Sequence, residues 1–198
     1  MNYFELYGIP VSLQIDSSLI KPKYYELSRK YHPDFYGNAS EEKQSEVLEI
    51  SSQVNKAFKI FNNPTELIKY VLQLKGLLED EEKYTLPSAF LMEIMELNEQ
   101  LEEAGLKSEV GEIFEEYPES GQDTTETMIQ PRVKDGKALA RISKLKSIIS
   151  NFQSEIYEPV KQIVEHYQEG ITTEKELLQV KEYYYKEKYL HRILAGMQ

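Results

Sequence analysis

Hydrophobic residues recur along most of the chain at intervals of three and four, the spacing of one face of an α-helix. In 19–31 the recurring residues are Ile20, Tyr24, Leu27 and Tyr31. Pro22 is tolerated only in a first helical turn, so this helix is expected to begin just before it. Ser40 followed by Glu41 and Glu42 reads as an N-cap with acid at the positive end of the helix dipole. The helix it opens carries Val47, Ile50, Val54, Ala57, Phe58 and Phe61 and stops near "NNP" (62–64). Two helices with matching apolar faces, joined by 32–40, predict an antiparallel hairpin. A third helix opens at Ser88, where Phe90, Ile94, Leu97 and Leu101 form a core stripe. Leu139, Ile142, Leu145, Ile149, Phe152, Ile156, Val160, Ile163 and Tyr167 continue the pattern, with Pro159 expected to kink or interrupt it. Thr173 and Glu176 form a capping box for the last helix. Its broad face is Leu177, Val180, Tyr183, Tyr184, Leu190 and Leu194, and a second face is Leu178, Tyr185, Tyr189 and Ile193. Alternation of period two is missing, so the predicted class is all-α, with a three-helix bundle after the hairpin. An intermolecular coiled coil is the alternative, but the stripe is wider than two positions in seven.

Two features of these helices are not explained by core packing. On the helix from Ser88, taking about 100° per residue, Leu91, Met92 and Met95 fall roughly opposite the core stripe, beside Glu96, Glu99 and Glu103. Leu and flexible Met rimmed by acid suit a surface that receives a partner, unless another helix of the same domain covers them. The second feature is "HPD" (32–34) at the tip of the hairpin. Pro33 fixes its own φ and pushes His32 out of the helical region, so the turn is stiff and its polar side chains are displayed. A catalytic reading would require a pocket and an oriented third group, which a hairpin tip does not offer.

Composition narrows the function classes. The chain of 198 residues is long enough for one large domain or two small ones, and it has no Cys. Disulfides, thiolate nucleophiles and Cys-ligated metals are thereby excluded. That suits the reducing cytoplasm, and the start "NYFELYGIP" has neither the basic region nor the apolar core of a signal peptide. The net charge of −11 is concentrated: residues 1–74 carry −1, 75–136 carry −12 and 137–198 carry +2. Only "KALARISKLK" (137–146) hints at the basic stripe that nucleic acid requires, and a solvated helix face is the commoner cause. No nucleic-acid or membrane partner is expected. Residues 108–133 are polar and acidic and read as a loop-like insertion. His166 and His191 lack ligand-like neighbours and read as surface or boundary residues, so no metal or other cofactor is expected.

These stretches resemble a known family. "YHPD" between a helix with basic residues and a longer helix ending "VNKAFKIFNNP" is similar to the J-domain signature. "NYFELYGIP", "AFKIFNNPTELIKYVLQLKG" and "SAFLMEIMELNEQLEE" are similar to the HscB co-chaperones of iron–sulfur cluster assembly. The likeness runs over 2–104 and resumes more weakly over 137–198. It implies a J-domain at 1–75, a linker at 76–87 and a scaffold-binding three-helix bundle at 88–198, with the insertion at 108–133. It also implies that His32, Pro33, Asp34, Lys23, Arg29 and Lys30 dock on a heat-shock ATPase of the HscA/DnaK class and stimulate it, so that catalysis belongs to the partner. Leu91, Met92, Met95, Glu96, Glu99, Glu103 and Tyr185 are then expected to contact an IscU-like iron–sulfur scaffold protein. A J-protein serving another client is the alternative within this class. Two positions depart from the pattern. Phe35 stands where a basic residue usually follows the tripeptide, and "PTELIKYVL" lacks the Arg-Ala pair usual after that proline.

Overall fold

A computed structural model describes residues 1–79, 83–103 and 136–195. The insertion 108–133 and the side chains of Leu139, Ile142, Leu145, Ile193 and Leu194 lie outside the described residues. The described elements are helical throughout: α1 (Tyr3–Tyr7), α2 (Ser17–Lys30), a 3-10 turn (Pro33–Tyr36), α3 (Glu41–Phe61), α4 (Pro64–Leu74), α5 (Ser88–Glu103), α6 (Gly136–Tyr157), a second 3-10 turn (Glu158–Val160), α7 (Lys161–Glu165) and α8 (Glu174–Ala195). They fall into two compact units. One comprises Met1–Glu82 with Val160–Lys181, and the other Lys83–Pro159 with Glu182–Gln198.

The first unit is built on the α2–α3 hairpin. Asp16 caps α2, its carboxylate accepting from the Ser18 N–H at 2.8 Å. The helix thus starts five residues before Pro22, earlier than the sequence pattern suggested. The apolar repeat begins only at Ile20, so the polar first turn Ser17-Ser18 leaves no periodic trace, while Pro22 is exposed and lies inside the helix. Ser40 caps α3 as expected. Val47, Val54, Ala57 and Phe61 are buried along it, facing Ile20 of α2 and the short α1. Tyr24 stacks on Phe58 at 4.1 Å, and its hydroxyl donates to Asn55 Oδ1 at 3.0 Å, so α2 and α3 are joined by both area and polarity. The sequence periodicity did not reveal α1, whose five residues are too few for a repeat. A capping box between Asn2 and Glu5 starts it, and Gly8 ends it at φ 61°. Phe4 and Tyr7 pack on Phe61, each at 5.1 Å between ring centres, and the Tyr7 hydroxyl donates to the Val54 carbonyl at 2.8 Å.

Asn63 caps α4 and Pro64 occupies its first position, where its missing N–H costs nothing. Gly76, at φ 67°, ends the helix, and the Leu77 N–H returns to the Leu72 carbonyl at 2.9 Å. Lys75 pairs with Glu169, which holds its ammonium above the usual lysine range and joins α4 to the segment after α7. The grouping of Val160–Lys181 with the first unit therefore differs from a division that gives all of 88–198 to one bundle.

In the second unit, Phe90, Ile94, Leu97 and Leu101 of α5 are 0–3 % exposed and meet Ile149, Phe152 and Ile156 of α6 and Leu190 of α8. Leu86, Ile148, Tyr183 and Tyr189 flank this cluster. Pro159 interrupts the helical run, which passes through the 3-10 turn Glu158–Val160 before α7.

Candidate functional site

The tripeptide lies at the tip of the hairpin, between α2 and α3. His32 is extended (φ −72°, ψ 125°) and caps the 3-10 turn that Pro33 opens. Its Nδ1 accepts the Asp34 N–H at 3.3 Å, so a neutral ring keeps its proton on Nε2. An Asp34 carboxylate oxygen lies 3.6 Å from the same Nδ1, within reach of a protonated ring. Both side chains face water, at 50 % and 85 % exposure, so they are available to a partner and unsuited to catalysis in a dry pocket. The turn is anchored to both helices. The Tyr36 hydroxyl donates to the Lys30 carbonyl at 3.0 Å, and Gln44 Nε2 donates to the Gly37 and Ala39 carbonyls at 3.1 and 2.9 Å.

Arg29 and Lys30 are exposed at the end of α2, and Lys23 is half-buried. Lys23 and Lys30 share one flank of the helix, seven residues apart, whereas Arg29 is turned about 100° further from the core side. The Lys30 ammonium lies 5.1 Å from the centre of the Tyr31 ring. The basic residues form a broad arc leading to the tip rather than a single stripe.

On α5 the residues opposite the core stripe are open. Leu91 is 38 % exposed, and Met92 and Met95 are each 64 % exposed. Glu96, Glu99 and Glu103 are exposed beside them. A groove of about 240 Å³ between α5 and α6 has Leu97 and Phe152 at its base and Glu93, Glu96 and Glu155 around it. Tyr185 stands on α8 and is half-buried. It stacks on Tyr84 at 4.3 Å with the planes 1° apart, and meets Tyr184 edge-on at 5.2 Å. Sequence reasoning missed Tyr84. A lone tyrosine in a short connecting stretch carries no periodic signal, and only the fold brings it to Tyr185.

It also missed Glu187, which among the described residues of this unit is the buried charged one, at 7 % exposure. Glu187 Oε1 accepts from Gln153 Nε2 of α6 at 3.1 Å and lies 3.0 Å from His191 Nε2. Its Oε2 is buried without a hydrogen-bond partner. The bond to Glu187 raises the His191 pKa above its ordinary value, against the opposing effect of burial. The i, i+4 spacing of these residues was visible in the sequence, but their burial was not. His166 is exposed, with its Nδ1 3.2 Å from the Gln162 carbonyl. Among the described residues no three His, Asp or Glu side chains gather as metal ligands would, and no helix is long and apolar enough to cross a membrane.

Comparison with known proteins shows what the chain is similar to. Residues 86–130 match the family model described as the HSCB C-terminal oligomerisation domain. The "Co-chaperone protein HscB homolog" of Shewanella halifaxensis (strain HAW-EB4) is 36 % identical over 136 residues, covering 66 % of this chain and 78 % of that protein. The protein of the same description from Vibrio vulnificus (strain YJ016) is 29 % identical over 170 residues, covering 79 % of this chain and 99 % of its own. The fold is shared with the chaperone HscB from Vibrio cholerae at TM-score 0.66 and 21 % identity, over 100 % of this chain and 95 % of that one. The human co-chaperone protein HscB gives TM-score 0.66 and 24 % identity, over 100 % and 80 %. The chain belongs to the HscB co-chaperone family.

Proposed function

We propose that this chain stimulates ATP hydrolysis by a heat-shock chaperone of the HscA/DnaK class and delivers an IscU-like iron–sulfur scaffold protein to it in the cytoplasm. Residues 1–75 act as the J-domain, 76–87 as a linker and 88–198 as the scaffold-binding part. The observation that carries this reading is the His32-Pro33-Asp34 turn, extended at His32, exposed, and tied to both helices of the hairpin. A tip so anchored loses little conformational freedom on binding, so its interactions are retained as affinity. His32 offers its outward Nε2 edge and Asp34 an open carboxylate. Lys23, Arg29 and Lys30 favour an acidic chaperone surface, chiefly through the rate of encounter. The chain performs no bond chemistry itself. Leu91, Met92 and Met95 provide apolar anchors for the scaffold, Glu96, Glu99 and Glu103 a polar rim, and Tyr185 an aromatic contact.

The test is steady-state ATP hydrolysis by a purified chaperone of this class, with the full chain and its His32→Gln variant. Stimulation should vanish in the variant while its helicity and melting temperature stay unchanged. Equal stimulation by the variant would remove the docking assignment. The description of the matched family as an oligomerisation domain favours a second reading of the α5 patch, contact with another copy of this chain. Concentration-dependent self-association that Leu91→Ala, Met92→Ala and Met95→Ala abolish, with scaffold binding intact, would put that reading in place of the scaffold site.

A further inference from the structure

Next to the tripeptide the tip carries a large apolar ring that the docking role above does not use. Phe35 is 70 % exposed, and its ring centre lies 5.7 Å from that of His32 with the planes tilted by 56°. A lone exposed apolar side chain is ordinary on a protein surface. Phe35 differs in its support and in its neighbour. Its N–H donates to the His32 carbonyl at 3.1 Å, and the next residue, Tyr36, is bonded to Lys30. The ring is therefore held in water by a turn joined to α2 and α3, and a protein that covers His32 meets Phe35 in the same contact.

The ring itself offers a partner neither a charge nor a hydrogen-bond donor. A partner that places a carboxylate directly against the ring must desolvate it with no donor from Phe35 in return, which is costly. A partner with an apolar recess at that point gains the burial of an aromatic ring. We propose, resting on the chaperone-docking reading, that Phe35 is a specificity-determining residue. It selects an ATPase whose surface offers an apolar recess beside the place where His32 binds, and discriminates against one that offers only acid there.

The test titrates a purified DnaK-class ATPase with the full chain, comparing the wild type with Phe35→Ala, Phe35→Leu, Phe35→Lys and His32→Gln. Phe35→Ala should raise the concentration for half-maximal stimulation about tenfold or more, the loss of one aromatic anchor, and leave the maximum intact. Phe35→Leu should stay within about threefold of wild type, because the recess recognises apolar volume. Phe35→Lys should not restore binding at any salt concentration. All three should melt with the wild type, since the ring is in water. The inference is overturned if Phe35→Ala keeps a half-maximal concentration within about twofold of wild type, if it lowers the maximum instead, or if Phe35→Lys binds as well as wild type while His32→Gln is inactive. In those cases docking at the tripeptide stands and only the role of Phe35 falls. Full stimulation by His32→Gln, or none by the wild type, removes the docking reading and this inference with it.

Discussion

Truncating Leu91, Met92 and Met95 together to Ala should separate binding from folding, and the structure sets the size of both effects. Leu91 is 38 % exposed and the two methionines 64 % each, so most of each Met side chain already lies in water in the folded state. Full burial of such a side chain contributes about 1.5–3 kcal/mol. Scaled to the buried parts and to the methylenes that Ala removes, the three changes together should cost roughly 2 kcal/mol of stability or less. The high helix propensity of Ala offsets a few tenths of this. The contrasting triple, Ile94→Ala, Leu97→Ala and Leu101→Ala, removes side chains 0–3 % exposed in the core between α5 and α6. At about 2–5 kcal/mol each it exceeds the lower end of the whole stability of a domain. Loss of the exposed anchors should instead weaken the scaffold complex by roughly 2–4 kcal/mol, about thirty- to a thousandfold in Kd. Urea unfolding followed by circular dichroism measures the first quantity, and calorimetric titration with a purified IscU-like scaffold protein measures the second. ATPase stimulation in the absence of scaffold should persist, because His32 is untouched. An exposed triple that destabilises as much as the core triple, or that binds scaffold as tightly as wild type, would refute the reasoning.

Two further predictions concern stability alone. Because the bond to Glu187 raises the His191 pKa above its ordinary value of 6.5, the pair should contribute its full stability below about pH 6.5 and lose it as pH rises through the higher folded value. The imidazole is 45 % exposed, so screening should hold the contribution to about 1 kcal/mol or less. Urea midpoints between pH 5.5 and 8.5 should converge for wild type and His191→Asn at the alkaline end, and identical pH profiles would rule the contribution out. Pro22 lies inside α2 with no N–H for the Ser18 carbonyl, so Pro22→Ala should stabilise the fold by about 1–3 kcal/mol, and an unchanged or lower melting temperature would contradict this.

The elements legible in the sequence were those whose signals are local. The apolar repeat of α5, the capping box of Thr173 and Glu176, the Ser40 cap and the interruption at Pro159 each depend on residues within about two turns of one another. The exposed patch on α5 belongs to the same class. Once four positions complete a core stripe, the angle to Leu91, Met92 and Met95 follows from the helical period alone. The display of His32 follows likewise from the restriction that Pro33 imposes on the residue before it.

Other features depended on residues distant in the chain. The start of α2 was read too late, because a polar first turn capped by Asp16 is silent in an apolar repeat. The stacking of Tyr185 on Tyr84 joins residues about a hundred positions apart, and the pairing of Lys75 with Glu169 is of the same range. Glu187 occupies a helix position indistinguishable by type from the exposed Glu174 or the half-buried Glu176 and Glu182 of the same helix. It is buried where α6 brings Gln153 to it, and that hydrogen bond offsets part of the cost of taking its carboxylate out of water. Helical period, caps and the angular separation of two faces are properties of the chain near each residue, and the sequence by itself determined them. Which polar group is buried, which rings stack and which segment joins which unit were decided by tertiary packing, because burial is a property of what lies opposite.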